Sequence, residues 1–218
     1  MDAAGFPPPD FWPPNGPLAI GGPLSVGRLL EAYRRGIFPW PIDESPDGLW
    51  WWSPDPRAVL DPLEMHVPRR LARTLRQGRF TVSFDRAFEA VVRLCSSHRD
   101  RDEGTWITPQ ILRAYTELHA IGRAHSAEVW REGRLVGGLY GVAIGGMFAG
   151  ESMVALERDA SKVALVATAR RVAAGGCRLF DVQLASDHLA TFGAREIPRD
   201  EFLRRLATAI ERPDCWRQ

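Results

Sequence analysis

The chain has 218 residues, 45% of them hydrophobic and 25% charged, with a net charge of +1. That length allows one domain or two small ones around a sizeable core, and the mix is that of an ordinary globular protein. A near-neutral balance names no partner for the molecule as a whole. The three cysteines, Cys95, Cys177 and Cys215, are widely separated and odd in number, which excludes metal or redox spacing and argues against a structural disulfide. His119 and His125 lie six apart across an expected helix end, so a bound metal is not expected. The Pro-rich N-terminus begins with an acid and does not read as a signal peptide. The longest uncharged run, residues 135–150, is too short to span a membrane and holds six glycines. The cytoplasm is the default location.

Residues 1–17 are rich in Pro and Gly and read as an arm or loop. Ser25 then caps a short helix carrying Val26, Leu29, Leu30 and Tyr33, stopped by Gly36. Trp and Pro crowd residues 37–62, and proline at that density forbids a long helix or a central strand. This predicts a small irregular N-terminal domain over residues 1–62 and a larger one over residues 63–218. A short basic helix follows at 68–77, then a strand at 80–84, and Asp85 is expected to cap a helix running to about Cys95. Thr108 with Pro109 opens another helix, closed by Gly122. The period then changes to that of strands over residues 126–130, 135–144 and 147–153, a three-strand antiparallel meander. A helix at 161–174, a strand at 178–184 and a last helix at 199–210 complete an α+β domain with a mostly antiparallel sheet.

Several residues could carry chemistry. On a strand, Asp181 and Gln183 share a face, so the Asp181 carboxylate could accept an N–H of the Gln183 amide and polarise its oxygen toward an amine. A solvated strand face explains the same pattern. Glu151 follows the Gly-rich strand, where glycine permits close approach of a ligand, and could hold a cationic group; an edge-strand charge is the plainer explanation. Leu139, Tyr140, Phe148 and Met153 suit either an apolar pocket or plain core. Residues 65–84 hold five arginines and no acid, and Arg69, Arg73 and Arg76 fall along one helix face, a stripe that suits a phosphate backbone or an ordinary wet surface. Of the 28 basic residues only Lys162 is a lysine, which singles out a position for a compact ammonium in place of a planar fork. Trp40, Trp50, Trp51, Trp52 and Trp106 offer faces for a nucleobase or for packing.

In chain order, Gly36-Ile37-Phe38-Pro39-Trp40, Trp51-Trp52-Ser53-Pro54-Asp55-Pro56-Arg57, Glu103-Gly104-Thr105-Trp106-Ile107-Thr108, His125-Ser126 with Glu128-Val129-Trp130, Gly150-Glu151-Ser152-Met153, Ser161-Lys162 and Asp181-Val182-Gln183 form a series. The series resembles the leucyl/phenylalanyl-tRNA–protein transferase family of bacteria over roughly residues 15–200. The resemblance implies transfer of Leu or Phe, with Met also open, from aminoacyl-tRNA to proteins beginning with Arg or Lys, which feeds N-end rule degradation. It also implies a small N-terminal α/β domain beside a GNAT-like acetyltransferase-type domain, and neither metal nor coenzyme. Asp181 and Gln183 match the family's reaction pair. Trp40, Trp106, Leu139, Phe148, Glu151 and Met153 match its substrate site, and Arg69, Arg73, Arg76 and Lys162 the surface for tRNA. A monomer that touches neither DNA nor membrane is expected.

The chain departs from the family pattern at Pro23, Leu139, Val154, Thr168, Phe180 and Val182, mostly around the side-chain pocket, which leaves the preference between Leu and Phe open. The donor ester is already activated and nothing stands out as a covalent nucleophile, so direct transfer is expected. Two rival readings fit parts of the sequence. An acyl-CoA acetyltransferase would need a glycine-rich turn before the long helix, where Leu156-Glu157-Arg158-Asp159-Ala160 instead carries two acids. A non-catalytic tRNA-binding adaptor would explain the arginines and tryptophans but would not require Asp181, Gln183 and Glu151.

Overall fold

The computed structural model describes residues 5–41, 48–97 and 105–216; the Glu103-Gly104 part of the series lies outside them. The Trp/Pro-rich segment is more regular than its prolines suggest. β1 (Ala19–Ile20), β2 (Phe38–Pro41) and β3 (Leu49–Trp52) form a three-stranded antiparallel sheet with β3 in the middle. The reconciling fact is position. Pro39 and Pro41 sit on β2, an edge strand, where a missing N–H costs no ladder bond on the open side. α1 (Val26–Arg34) lies between these strands, and Ser25 caps it by accepting the N–H of Arg28.

β4 (Arg57–Leu60) carries no proline and does what the expected irregularity ruled out for this region. It is an inner strand of a seven-stranded sheet, although it precedes residue 62. The other members are β5 (Thr81–Phe84), β6 (Ala124–Arg131), β7 (Arg134–Ile144), β8 (Met147–Ala155), β9 (Leu179–Gln183) and β10 (Arg195–Ile197), in the order β10-β4-β9-β8-β7-β6-β5. All neighbours are antiparallel except β8 and β9, which run parallel, so the sheet is mostly antiparallel as expected.

The helices cover both faces. α1, α3 (Phe88–Ser97), α4 (Pro109–Ala120) and α7 (Arg199–Ile210) share one core with Tyr140, Val142 and Ile144 of β7. α5 (Ala160–Ala174), α2 (Arg69–Arg76) and the short α6 (Asp187–Ala190) pack on the other with Leu139 and Ala143. The alternation along β7 is that of a strand buried on both sides. Gly141 marks a register shift between β7 and β8, where a Cβ would stand 2.3 Å from the Ala149 carbonyl oxygen and 2.5 Å from the Phe148 ring. The glycine-rich run therefore serves close internal packing.

Two further expectations change. Asp85 does not cap α3: it sits at φ +57° and turns its carboxylate to Ser126, His125 and Trp216, while Glu128 accepts the N–H of Ala87 instead. The N-terminal arm is packed down: Phe6 is buried against Trp51, and Arg199 donates to the carbonyls of Trp12, Pro13 and Ser53.

Candidate active site

Two parallel strands must diverge for a site to open between them. The β8–β9 ladder runs through Met147↔Leu179, Phe148↔Phe180 and Ala149↔Asp181. Beyond it a cavity of about 280 Å3 opens, walled by Leu139, Met153, Leu165, Phe180, Val182 and Leu189. Gly150, Glu151, Ser152 and Gln183 complete the wall, so an apolar pocket carries its polar groups at one end.

At that end the Gln183 amide donates from Nε2 to Glu151 Oε1 at 3.2 Å. Tyr115 donates its hydroxyl to Glu151 Oε2 at 3.0 Å, and Tyr115 in turn shares a short hydrogen bond with Tyr33. Burial pushes the Glu151 carboxyl up to about 7; hydrogen bonds from Tyr33 and Tyr115 oppose this, and the Asp181 charge adds to it. Burial, reinforced by the Glu151 charge, also holds both tyrosine hydroxyls above their ordinary range. Gln183 thus presents an amide polarised by a carboxylate, with its oxygen left to accept.

The polarising carboxylate is not the one the strand pattern indicates. Asp181 is 2% exposed, and both its oxygens meet Arg57: Nε to Oδ1 at 2.8 Å and Nη2 to Oδ2 at 2.6 Å. Its only link to Gln183 is through the main chain, the Gln183 N–H donating to Oδ1 at 3.0 Å. Gln183 leaves the extended conformation, with φ +59°, so strict alternation ends one residue too early for the two side chains to pair.

Phe148 is fully buried between Phe180 and Trp216 and supports the pocket from behind instead of lining it. Thr168 is buried too. Trp40 stacks on Trp106 at 5.8 Å between centroids and lines a second cavity of about 450 Å3 with Phe38, Trp52, Pro54, Asn15, Gly16 and Leu184. Leu184 adjoins Gln183, so the two cavities flank one turn of chain.

Arg69, Arg73 and Arg76 are exposed on α2, and none has an ion-pair partner among the described residues. Leu71 and Thr74 seat the helix, and Thr74 reaches Asp159, which pairs with Lys162 at 3.3 Å. The stripe and Lys162 therefore border one surface.

Asp85, His119 and His125 offer ligand atoms within 4.8 Å of one another, a cluster that sequence spacing passed over. The Asp85 carboxylate meets the His125 Nδ1, the Ser126 N–H and the Trp216 Nε1–H. Burial alone would raise Asp85, but these bonds outweigh it and hold the carboxyl below its ordinary value. His119 Nδ1 meets the Ala124 carbonyl. A carboxylate so fully engaged anchors the C-terminal segment, and its donors fit that role better than a cation. Ser126 and Glu128 likewise bond to each other, and Glu128 to Ser83, which makes this part of the series a structural network.

Sequence reasoning missed Arg57, Tyr33 and Tyr115. Arg57 stood only as the last residue of a family-matching string, Tyr33 on the apolar face of the first helix, and Tyr115 drew no reading of its own.

The model of the family described as "Leucyl/phenylalanyl-tRNA protein transferase" matches residues 59–207, and that of its N-terminal domain matches residues 22–55. A leucyl/phenylalanyl-tRNA–protein transferase from Anaeromyxobacter sp. (strain Fw109-5) is 54% identical over 209 residues, 95% of this chain and 88% of that protein. One from Azotobacter vinelandii is 51% identical over 214 residues, covering 97% and 94%. Among solved structures, a GCN5-related N-acetyltransferase from Kribbella flavida is 12% identical, with a TM-score of 0.43 over 78% of this chain and 59% of that one. With both family models in sequence order and half its residues shared with these relatives, the chain belongs to the leucyl/phenylalanyl-tRNA–protein transferase family.

Proposed function

We propose that this chain transfers leucine or phenylalanine from aminoacyl-tRNA to the α-amine of proteins that begin with Arg or Lys. It does so as a cytoplasmic monomer, and the product is marked for N-end rule degradation. The observation that carries this reading is the Glu151–Gln183 pair at the mouth of the apolar cavity between β8 and β9.

The chemistry needs little beyond placement. An acceptor α-amine has an ordinary pKa of about 8 and is partly neutral near pH 7. The Gln183 oxygen accepts an N–H of that amine and aims its lone pair at the ester carbonyl. The N–C bond forms, the ester C–O bond breaks, and the amine's proton leaves with the ribose 3′-oxygen. Holding both reactants so removes roughly 7–11 kcal/mol of barrier. The cavity takes the donor's side chain, and its volume of about 280 Å3 suits one side chain of Leu or Phe size. Glu151, when ionised, attracts the acceptor's cationic residue. The terminal adenosine stacks in the aromatic cavity at Trp40, with Trp106 backing it. Arg69, Arg73, Arg76 and Lys162 meet tRNA phosphates. An acyl-CoA donor is disfavoured by Asp159, whose carboxylate stands at the N-terminus of α5 where a pyrophosphate would have to lie. No helix of the described residues is long and apolar enough to cross a membrane.

The test is transfer of radiolabelled leucine from Leu-tRNA to a peptide beginning with Arg, against the same peptide N-acetylated. Label on the free peptide alone is the expected result. No label, with both substrates intact, rejects the reading.

A further inference from the structure

β9 ends in a constrained turn. The Leu184 N–H donates to the Val182 carbonyl at 2.7 Å, which closes a three-residue turn around Gln183. Gln183 sits there at φ +59°, a left-handed conformation that residues with side chains hold only when the surroundings impose it. The imposing group is Asp181, whose Oδ1 accepts the Gln183 N–H at 3.0 Å.

That carboxylate is itself immobilised. Arg57 grips it with two parallel N–H···O bonds of 2.8 and 2.6 Å, both partners being almost fully buried. The third donor of the fork, Nη1, reaches the Gly36 carbonyl at 3.0 Å. The guanidinium lies over the rings of Phe38 and Phe202, 4.9 and 4.4 Å from their centroids. β4 also shifts register between Ala58 and Val59, with Ala58 opposite Gln183, so Arg57 lies one residue from the position that faces the turn.

We propose that Arg57 is a positioning residue for the transfer reaction: it locks the Asp181 carboxylate, which pins the Gln183 main chain in its left-handed turn and so aims the Gln183 amide at Glu151 and the acceptor amine. The inference rests on the transferase reading above. It assigns Asp181 an effect through the backbone of Gln183, distinct from polarisation of the Gln183 side chain. A lysine keeps the charge at 57 but cannot reproduce a two-pronged grip on a carboxylate together with a third bond to Gly36.

Arg57→Lys is compared with wild type in the full chain, with and without Gln183→Ala. With Gln183 present, kcat falls by about tenfold or more, while KM for Leu-tRNA and for an Arg-initiated peptide stays within about threefold. In the Gln183→Ala background the same change lowers the residual rate by less than about twofold, because the residue it acts through is gone. Amide exchange supplies a readout independent of catalysis: the Gln183 N–H exchanges about tenfold faster in folded Arg57→Lys. An equal loss in both backgrounds, or unchanged exchange at Gln183, overturns the proposal. Should Arg57→Lys fail to fold, Asp181→Asn, nearly identical in shape, is put through the same measurements with the same expectations. If wild-type protein transfers no amino acid, the transferase reading fails and takes the catalytic role of Arg57 with it; the exchange measurement then still decides whether Arg57 pins Gln183.

Discussion

Glu151 shows how burial tunes a single residue for neutral pH. The carboxyl is displaced from 4.5 to about 7, first by burial, against two tyrosine hydrogen bonds. As pH rises through 7 it ionises and polarises the Gln183 amide more strongly. Transfer at limiting acceptor is therefore expected to rise along two limbs, one near 7 from Glu151 and one near 8 from the amine. Glu151→Gln removes the lower limb and leaves the upper; a rate profile that keeps both limbs in this variant would detach Glu151 from the reaction. The same shift affects stability with a definite sign. Between 4.5 and 7 the folded state binds the proton that the unfolded chain has released, so wild type loses stability as pH rises across that window. Glu151→Gln lacks this loss, and its stability relative to wild type should improve from below pH 4.5 to above pH 7 by up to about 3 kcal/mol, read by denaturant unfolding at each pH.

At the scale of elements, α2 and β7 make opposite use of their compositions. α2 spends Leu71 and Thr74 on packing and leaves Arg69, Arg73 and Arg76 to solvent. Arg73→Ala should weaken tRNA binding and reduce the slope of log K against log salt by about 1, with no change in thermal unfolding. An unaltered slope would make the stripe ordinary surface. In β7 the constraint is steric. Gly141→Ala places a Cβ within 2.3 Å of a backbone oxygen, which the sheet can relieve only by breaking its register, so the variant should lose at least about 3 kcal/mol of stability or fail to fold. How much of these elements was legible depends on the range of the forces that form them. The caps at Ser25 and Thr108 act within three residues, and their helices begin where those side chains indicate. β4 pairs with β9 and β10 across more than a hundred residues, and nothing local in Arg57-Ala58-Val59-Leu60 reveals that. The site divides in the same way. Glu151, Gln183, Leu139 and Met153 were visible on their strands and meet at one cavity. The partners that set their chemistry, Tyr115 for Glu151 and Arg57 for Asp181, come from distant segments and were not.

For the whole molecule, the proposed reaction centre sits where the three-stranded and seven-stranded sheets are tied together. Arg57 links β4 to β9 and to the end of α1 through Gly36, and Arg199 links α7 to the arm at Trp12 and Pro13. One side of the Gln183–Leu184 turn faces the apolar cavity and the other faces the aromatic one. In the proposed reaction, donor side chain and donor nucleoside are held on either side of Gln183, and placement of the amine by Gln183 drives transfer. Its most direct test is single-turnover transfer from saturating Leu-tRNA to an Arg-initiated peptide by Gln183→Ala, with tRNA affinity measured separately. If Gln183 places the amine, the rate falls at least about tenfold below wild type with tRNA affinity unchanged within about twofold. A wild-type rate in that variant would contradict it.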